Sequence, residues 1–161
     1  MKRFLIIAVP VFLLGFAAGN AFWYLASPLW IDRVVDEQLP EELMLTPVAA
    51  GQFRDADRAD KGMGTATELT TGGGAKLLRL TDFEVTNGPD LEVWLVAAPD
   101  PQSSADVKAS TWLSLGRLKG NIGDQTYMIP DDADLADWGS VVIWCEQFGV
   151  LFSPAALAPA G

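Results

Sequence analysis

The sequence predicts an all-β fold, an antiparallel β-sandwich of about seven or more strands, preceded by one N-terminal transmembrane helix. Three observations lead to this prediction. Residues 4–31 contain no charged side chain, and a membrane-spanning helix needs roughly 20 apolar residues. Residues 51–157 show little helical periodicity, and short β-type runs alternate there with turn residues. The length of 161 residues and the hydrophobic content of 50% allow one globular domain with an appendage and argue against global disorder.

Residues 1–31 are predicted to form an uncleaved signal anchor. Lys2 and Arg3 precede the apolar run, so the positive-inside rule places the N-terminus in the cytoplasm and the rest of the chain on the extracytoplasmic side of the cytoplasmic membrane, as a single-pass protein. Cleavage at the small-x-small sequence Gly19-Asn20-Ala21 is the alternative. Continuation of the apolar run beyond that sequence argues against cleavage, and so does an aromatic belt at the outer interface, formed by Phe22, Trp23, Tyr24 and Trp30.

Residues 32–49 are predicted to be a short, helical, Pro-containing linker. A short helix is expected over residues 31–39. It is expected to end there because Pro40 follows directly and proline is disfavoured inside a helix. Residues 41–45 are expected to add a further turn before Pro47. The net negative charge of the segment argues against tight contact with anionic lipid.

The domain is predicted over residues 50–157. Turn sequences such as Gly72-Gly73-Gly74 and Asn87-Gly88-Pro89-Asp90 separate its β-type runs. This spacing is typical of an antiparallel sandwich. The chain after Ser153 is rich in Ala and Pro and is expected to fray, with residues 158–161 as a free tail. The seven predicted strands are residues 63–70, 75–86, 91–98, 112–118, 125–129, 141–145 and 148–152.

Two of these runs allow finer predictions. In residues 75–86 the apolar face switches between Leu80 and Phe83, so a β-bulge near Thr81-Asp82 would return both side chains to the core. Residues 141–145 are apolar throughout, which predicts a central strand buried on both faces.

The composition excludes several functional classes. The chain has no His, so it has no Ser-His-Asp triad, no Cys-His dyad and no His-ligated zinc or haem. A single Cys cannot form an internal disulfide or hold an iron–sulfur cluster within one chain. The net charge of -10 argues against nucleic acid as a partner, because the phosphate backbone is also anionic. A conventional enzyme is not favoured, since no acid–base set is visible.

Cys145 is the only soft nucleophile in the chain. Free cysteine is among the most buried residue types, and a structural role as a small hydrophobe at the end of an apolar strand is the simpler interpretation. An unpaired Cys in an exported protein is nevertheless unusual, which keeps a redox role open. The neighbouring Glu146 would raise the pKa of the thiol rather than activate it.

The remaining chemistry-bearing residues give weaker indications. Two acid-rich segments, residues 55–60 and 131–137, do not fit the spacing of a calcium-binding loop and are interpreted as solvated loops. No metal site is predicted. Four tryptophans of the domain are assigned to the core rather than to a sugar-binding platform, namely Trp94, Trp112, Trp138 and Trp144.

Three blocks of the sequence together resemble the DM-thirteen domain, a proposed electron-transfer domain that is also found with DOMON domains. The blocks are residues 87–95, 115–130 and 140–152, and Gly51-Gln52-Phe53 and residues 64–67 resemble the opening of the domain. The resemblance covers residues 50–157. The stretch from residue 28 to Pro40 is similar to the lead-in of bacterial members that are anchored by one N-terminal helix.

The resemblance implies an extracytoplasmic β-sandwich whose hallmark Cys, here Cys145, does redox work as a free thiol or as a ligand to a group such as haem. Trp144, Tyr127 and Phe148 are its expected neighbours. Typical members carry His where Asp60 and Glu92 stand here. Without His, a haem would have to be held by residues that are poor candidates as a set, namely Cys145, Met63, Met128 and Tyr127.

Two functions follow as hypotheses. The first is a membrane-anchored, extracytoplasmic domain with a redox or electron-transfer role centred on Cys145 and a redox protein as partner. The second is a non-catalytic binding or assembly module at the outer face of the membrane, which the lack of His and the acidic surface favour.

Overall fold

The computed structural model describes residues 2–27, 30–40 and 43–161. Within these residues lie one long helix, ten strands, one short helix and one 3-10 turn. Two compact units result, Met1–Ile31 and Asp32–Gly161. The elements in chain order are α1 (Lys2–Ala26), β1 (Val34–Asp36), β2 (Leu45–Gln52), β3 (Gly62–Thr71), β4 (Lys76–Val85), β5 (Leu91–Val96), α2 (Ser104–Lys108), β6 (Trp112–Arg117), β7 (Ile122–Ile129), the 3-10 turn (Leu135–Asp137), β8 (Ser140–Cys145), β9 (Val150–Ala156) and β10 (Ala158–Pro159).

The first unit is the apolar helix α1. Its window Ile6–Trp23 spans 18 residues with a mean hydropathy of 1.9, so the helix is long and apolar enough to cross a membrane. An N-terminal signal sequence can have the same length and composition, so the helix is consistent both with a retained membrane anchor and with a cleaved signal peptide.

The second unit confirms the predicted all-β sandwich behind a single N-terminal helix. One sheet has the strand order β1-β7-β4-β3-β2-β10 and the other has the order β6-β5-β8-β9. Neighbouring strands are antiparallel except for β1 and β7, which run parallel. The main core lies between the sheets, because its buried side chains come from strands of both, as Leu78 and Ile143 illustrate.

The predicted bulge in β4 is confirmed. The β4–β7 register shifts between Leu80 and Glu84, and Asp82 has a φ of 49°. The shift lets Leu80 and Phe83 both reach the core. Opposite the bulge, Gly64 has a φ of 105°, and a Cβ there would lie 2.6 Å from the Phe83 Cα, so the close approach of the two strands requires glycine.

The predicted central strand is also confirmed. β8 lies between β5 and β9, and all six of its residues are buried. Its side chains alternate between two clusters. Val141, Ile143 and Cys145 face the main core. Val142 and Trp144 face a second cluster on the other side of the sheet, which α2 helps to cover through Val107.

The prediction of a helix over residues 31–39 is wrong for the described chain, since Val34–Asp36 form β1 and pair with Ile122–Asp124. Tertiary contacts decide this conformation. The Glu37 carboxylate accepts a hydrogen bond from the backbone N–H of Thr126 and forms an ion pair with Lys119 at 2.7 Å. Farther along, residues 45–49 of the predicted linker belong to β2, and residues 41–42 of the predicted turn lie outside the described residues.

The prediction of a frayed tail is also wrong. Residues 153–156 continue β9, and Ser153 and Ala155 are fully buried. Ala158 then pairs with Ala50 on β2, which would otherwise be the edge of the first sheet. A strand edge leaves backbone N–H and C=O groups unpaired, and the Ala- and Pro-rich tail satisfies some of them despite its composition.

Candidate functional site

Cys145 lies at the C-terminal end of β8, where it pairs with Leu91 of β5 and with Val150 of β9. Its side chain has 0% exposure and belongs to the main core. The apolar sequence of β8 explains this position, because a strand with apolar residues on both faces has to be covered on both sides.

A loop and a turn cover the sulfur. The Cys145 thiol donates a hydrogen bond to the Pro89 carbonyl at 3.0 Å. The loop that carries Pro89 packs closely on β9, since a Cβ at Gly88 would come within 2.6 Å of the Phe152 ring. Beyond Cys145, residues 146–149 form the tight turn between β8 and β9, and Glu146 donates its backbone N–H to the Asp90 carbonyl at 3.0 Å.

The surroundings raise the pKa of the Cys145 thiol. Burial is the largest cause, because it penalises the charged thiolate, and the negative charges of Asp90 and Asp60 act in the same direction. The backbone N–H groups of Phe148 and Gln147 oppose this effect by hydrogen bonding to the sulfur. The sequence predicted the direction from Glu146, but the acidic residues responsible are Asp90 and Asp60, which are distant in sequence.

The three expected neighbours of Cys145 occupy different environments. Tyr127 lies in the same core, where its hydroxyl donates to the Gln125 side-chain oxygen at 2.8 Å. Phe148 is exposed in the β8–β9 turn rather than in the predicted strand, which begins only at Val150. Trp144 points away from the thiol, into the cluster on the opposite face of the sheet.

That second cluster contains an aromatic stack. Trp94 on β5 stacks against Trp144 on one side and Trp112 on the other, with ring centroids 5.1 Å and 4.1 Å apart. Trp94 and Trp144 are buried, and Trp138 packs against the main core. Trp112 departs from the core assignment, because it lies on an edge strand and is 48% exposed.

In the acid-rich segment of residues 55–60, two carboxylates form contacts with residues that are close by in the sequence. Asp55 forms an ion pair with Lys61 at 2.8 Å, and Asp57 accepts the backbone N–H groups of Ala59 and Asp60. Across residues 2–27, 30–40 and 43–161, no group of three or more Asp, Glu or Cys side chains is arranged to hold a metal ion.

The sequence profile of the family described as Electron transfer DM13 matches residues 52–157. The chain belongs to this family. No curated protein and no solved structure matches the chain.

Asp60 and Glu92, the two positions at which the resemblance implies His, lie in separate places. The charge of Asp60 acts on the Cys145 thiol. Glu92 lies on the outer side of the sheet, where its carboxylate accepts hydrogen bonds from Trp94 and Ser114. Asp60 therefore belongs to the surroundings of the thiol, and Glu92 belongs to the aromatic stack.

The residues of this DM-thirteen domain do not fit a haem. Met63 and Met128 are exposed on strands β3 and β7, whereas Cys145 and Tyr127 are buried in the core. Met63 pairs with Glu84 and Met128 with Leu77, which are seven residues apart on β4 and so about 23 Å apart along it. The raised pKa of Cys145 also disfavours the thiolate, which is the form that ligates iron.

Sequence reasoning missed the residues that cover the sulfur. Pro89 and Asp90 lie in a segment that was identified only as a turn, although it is part of the block that resembles the family. Asp60 was indicated only by its position in an acid-rich segment and by the resemblance, which implies His at that position. The pairing of Leu91 with Cys145, which the structure reveals, places Pro89 and Asp90 beside the thiol.

Proposed function

We propose that this DM-thirteen domain is a redox module that exchanges single electrons with a protein partner through Cys145. We further propose that α1 holds the domain at the outer face of the cytoplasmic membrane. The observation that carries the redox role is the position of the chain's only thiol, enclosed between the Pro89 loop and the β8–β9 turn inside the region that matches an electron-transfer family.

The enclosure of the sulfur favours electron transfer over chemistry that needs direct contact. A nucleophilic thiol has to reach its target as a thiolate. Cys145 is buried, and its raised pKa keeps it protonated. An electron, by contrast, can leave a buried group without contact between that group and the partner.

The redox step couples one electron to one proton. An electron-accepting protein takes one electron from Cys145, its S–H bond breaks, and the sulfur becomes a neutral thiyl radical. The proton passes by way of a carboxylate to solvent, and Asp90 and Asp60 are the two carboxylates whose charges act on the sulfur. Return of one electron and one proton restores the thiol.

Voltammetry of the full-length chain in detergent tests this proposal. We expect one reversible wave whose potential falls by about 59 mV per pH unit, because one proton leaves with each electron. Cys145→Ala should abolish the wave, and Phe148→Leu, which alters an exposed neighbour, should retain it. A wave that survives in Cys145→Ala, or no wave in the native chain, would remove Cys145 from the mechanism.

The complete burial of Cys145 also supports a second function. A thiol that only fills the core is compatible with a binding or assembly module at the membrane. In that case Cys145→Ala retains both the folded state and the biological activity of the chain. Loss of activity in a folded Cys145→Ala protein supports the redox role instead.

A further inference from the structure

Three indole rings form a continuous stack across the outer face of the second sheet. Trp112 stacks on Trp94 with an interplanar angle of 12°, and Trp94 stacks on Trp144 with an angle of 28°. Because β5 lies between β6 and β8, the stack runs across the strands. One end is half exposed at Trp112, and the other end is buried beside the backbone of Cys145.

Charged groups are placed unevenly along this stack. The Trp94 indole Nε1–H donates to Glu92 Oε2 at 2.8 Å, and the same oxygen accepts from the Ser114 hydroxyl at 2.7 Å. At the inner end, the Lys108 ammonium lies 5.7 Å from the centroid of the Trp144 ring. A carboxylate stabilises an indole that has lost an electron, and an ammonium destabilises it. An oxidised state is therefore favoured at Trp94 over Trp144.

We infer that Trp112, Trp94 and Trp144 are a one-electron relay between the interior of the domain and a partner that docks against Trp112. This inference rests on the proposed electron-transfer function and supplies its route. The partner carries a one-electron acceptor, such as an oxidised metal centre or an organic radical. Trp112 is the contact point because it is the exposed member of the stack and stands on an edge strand.

The steps balance in electrons and protons. The acceptor takes one electron from Trp112, which becomes an indole radical cation. Trp94 then donates an electron to Trp112 and is itself oxidised. The Nε1 proton of Trp94 moves along its hydrogen bond to Glu92, which leaves a neutral indolyl radical and a protonated carboxyl group. One electron from the Cys145 thiol, delivered through Trp144, together with the proton held by Glu92, restores Trp94, while Cys145 loses its own proton and becomes the thiyl radical.

Flash photolysis of the full-length chain in detergent tests the relay. The probe is a photogenerated ruthenium(III) polypyridyl complex in solution, which acts as the one-electron oxidant. We expect the visible absorption band of a neutral indolyl radical in the native chain and in Trp30→Phe, which removes an indole outside the stack. Trp112→Phe and Trp94→Phe should each lower the yield of this band, because the first removes the exposed entry point and the second removes the indole that passes its proton to Glu92.

Glu92→Gln separates a relay from simple surface oxidation. Glutamine keeps the size and the acceptor oxygen of Glu92 but takes up the indole proton far less readily, so the radical should appear as the cation and decay faster. If Trp112→Phe and Glu92→Gln both leave the yield and the type of radical unchanged, the inference is wrong. Circular dichroism confirms folding of each variant, and Trp112→Phe, at an exposed position, keeps the test valid if Trp94→Phe fails to fold.

Failure of the relay and failure of the proposed function give different results. Cys145→Ala should still produce the indolyl radical, because the oxidant acts on the stack. A radical that persists without any Cys145-dependent voltammetric wave therefore overturns the thiol role alone. A Cys145-dependent wave in a chain whose radical is unaffected by Trp112→Phe overturns the relay alone.

Discussion

Two buried titratable side chains of this domain differ in whether they have a hydrogen-bond partner. Cys145 is buried but donates its proton to a carbonyl oxygen. Glu68 on β3 is 1% exposed, and its Oε1 accepts no hydrogen bond. Burial raises the pKa of Glu68 to about 7. The same physical effect thus favours the neutral form of a thiol at one position and the neutral form of a carboxyl group at another.

Glu68 should make the stability of the domain depend on pH. Its folded-state pKa of about 7 lies above the unfolded value of 4.5, so the folded state binds the proton more tightly. The contribution of Glu68 to stability is then fully present below pH 4.5, is lost as the pH rises to 7, and changes little above that. A shift of this size corresponds to about 3 kcal/mol.

Urea unfolding at pH 4.5 and pH 8, followed by tryptophan fluorescence, measures this effect. Glu68→Gln should remove about 3 kcal/mol of the difference between the two pH values. Glu84→Gln, a change at an exposed glutamate of β4, is the matched control and should leave the difference as it is. Equal pH dependence in the native chain and Glu68→Gln would show that Glu68 is solvated.

At the scale of elements, loops and short strands are held by close backbone approaches. The Pro89 loop needs glycine at position 88 to pack on Phe152. The pairing of β1 with β7 needs glycine at position 123, where φ is 98° and a Cβ would collide with the Val35 carbonyl. Both contacts join segments that are distant in sequence, and both can be broken by one methyl group.

Gly88→Ala should expose the thiol. The added Cβ would push the Pro89 loop away from the Phe152 ring and weaken the cover over Cys145, so alkylation of the native chain should become faster. The rate of reaction with iodoacetamide, followed by mass spectrometry, measures the change. Gly73→Ala, in an exposed hairpin turn with room for a methyl group, should leave the rate unaltered. A Gly88→Ala rate equal to that of the native chain would mean that the loop does not limit access.

Gly123→Ala should detach β1. The backbone conformation and the collision with Val35 together cost about 1–3 kcal/mol. Hydrogen exchange should then accelerate at Glu37, whose backbone N–H is bonded to the Asp124 carbonyl. The amides of β8 serve as the internal reference, and equal acceleration there would indicate global destabilisation rather than release of β1.

At the scale of the whole molecule, an apolar helix is joined to a strongly acidic domain. Every acidic residue of the chain follows residue 31, so the folded unit is more acidic than the overall net charge of -10. The helix is long and apolar enough to cross a membrane. Such a domain would be repelled from anionic lipid and from nucleic acid, and recruitment to the membrane would depend on the helix.

Anchoring predicts where the full-length chain is found. Expressed in bacterial cells, it should sediment with membranes and remain there after a high-salt wash. The intact mass should show that residues 1–31 are retained. External protease should digest the folded unit in spheroplasts but not in untreated cells. A soluble product that begins after Ala21 would instead establish cleavage as a signal peptide.

The sequence by itself determined the fold class, the apolar helix and most of the strands. Strand alternation, turn residues and a switch of apolar face are local patterns, and they placed the β4 bulge and the buried β8 correctly. The family resemblance was likewise carried by contiguous blocks of sequence. Local patterns sufficed in these cases because each residue's environment was set by its neighbours along the strand.

Only the tertiary structure decided the surroundings of Cys145 and the ends of the sheets. Pro89, Asp60 and Asp90 approach the thiol through strand pairing and loop packing, which leave no local pattern. Residues 34–36 became a strand because β7 and Lys119 were available to pair with that segment, and the tail became β10 because β2 offered a free edge. The segment that pairs with a sheet edge is the one that the fold places beside the unpaired backbone groups, and its composition alone does not indicate this pairing.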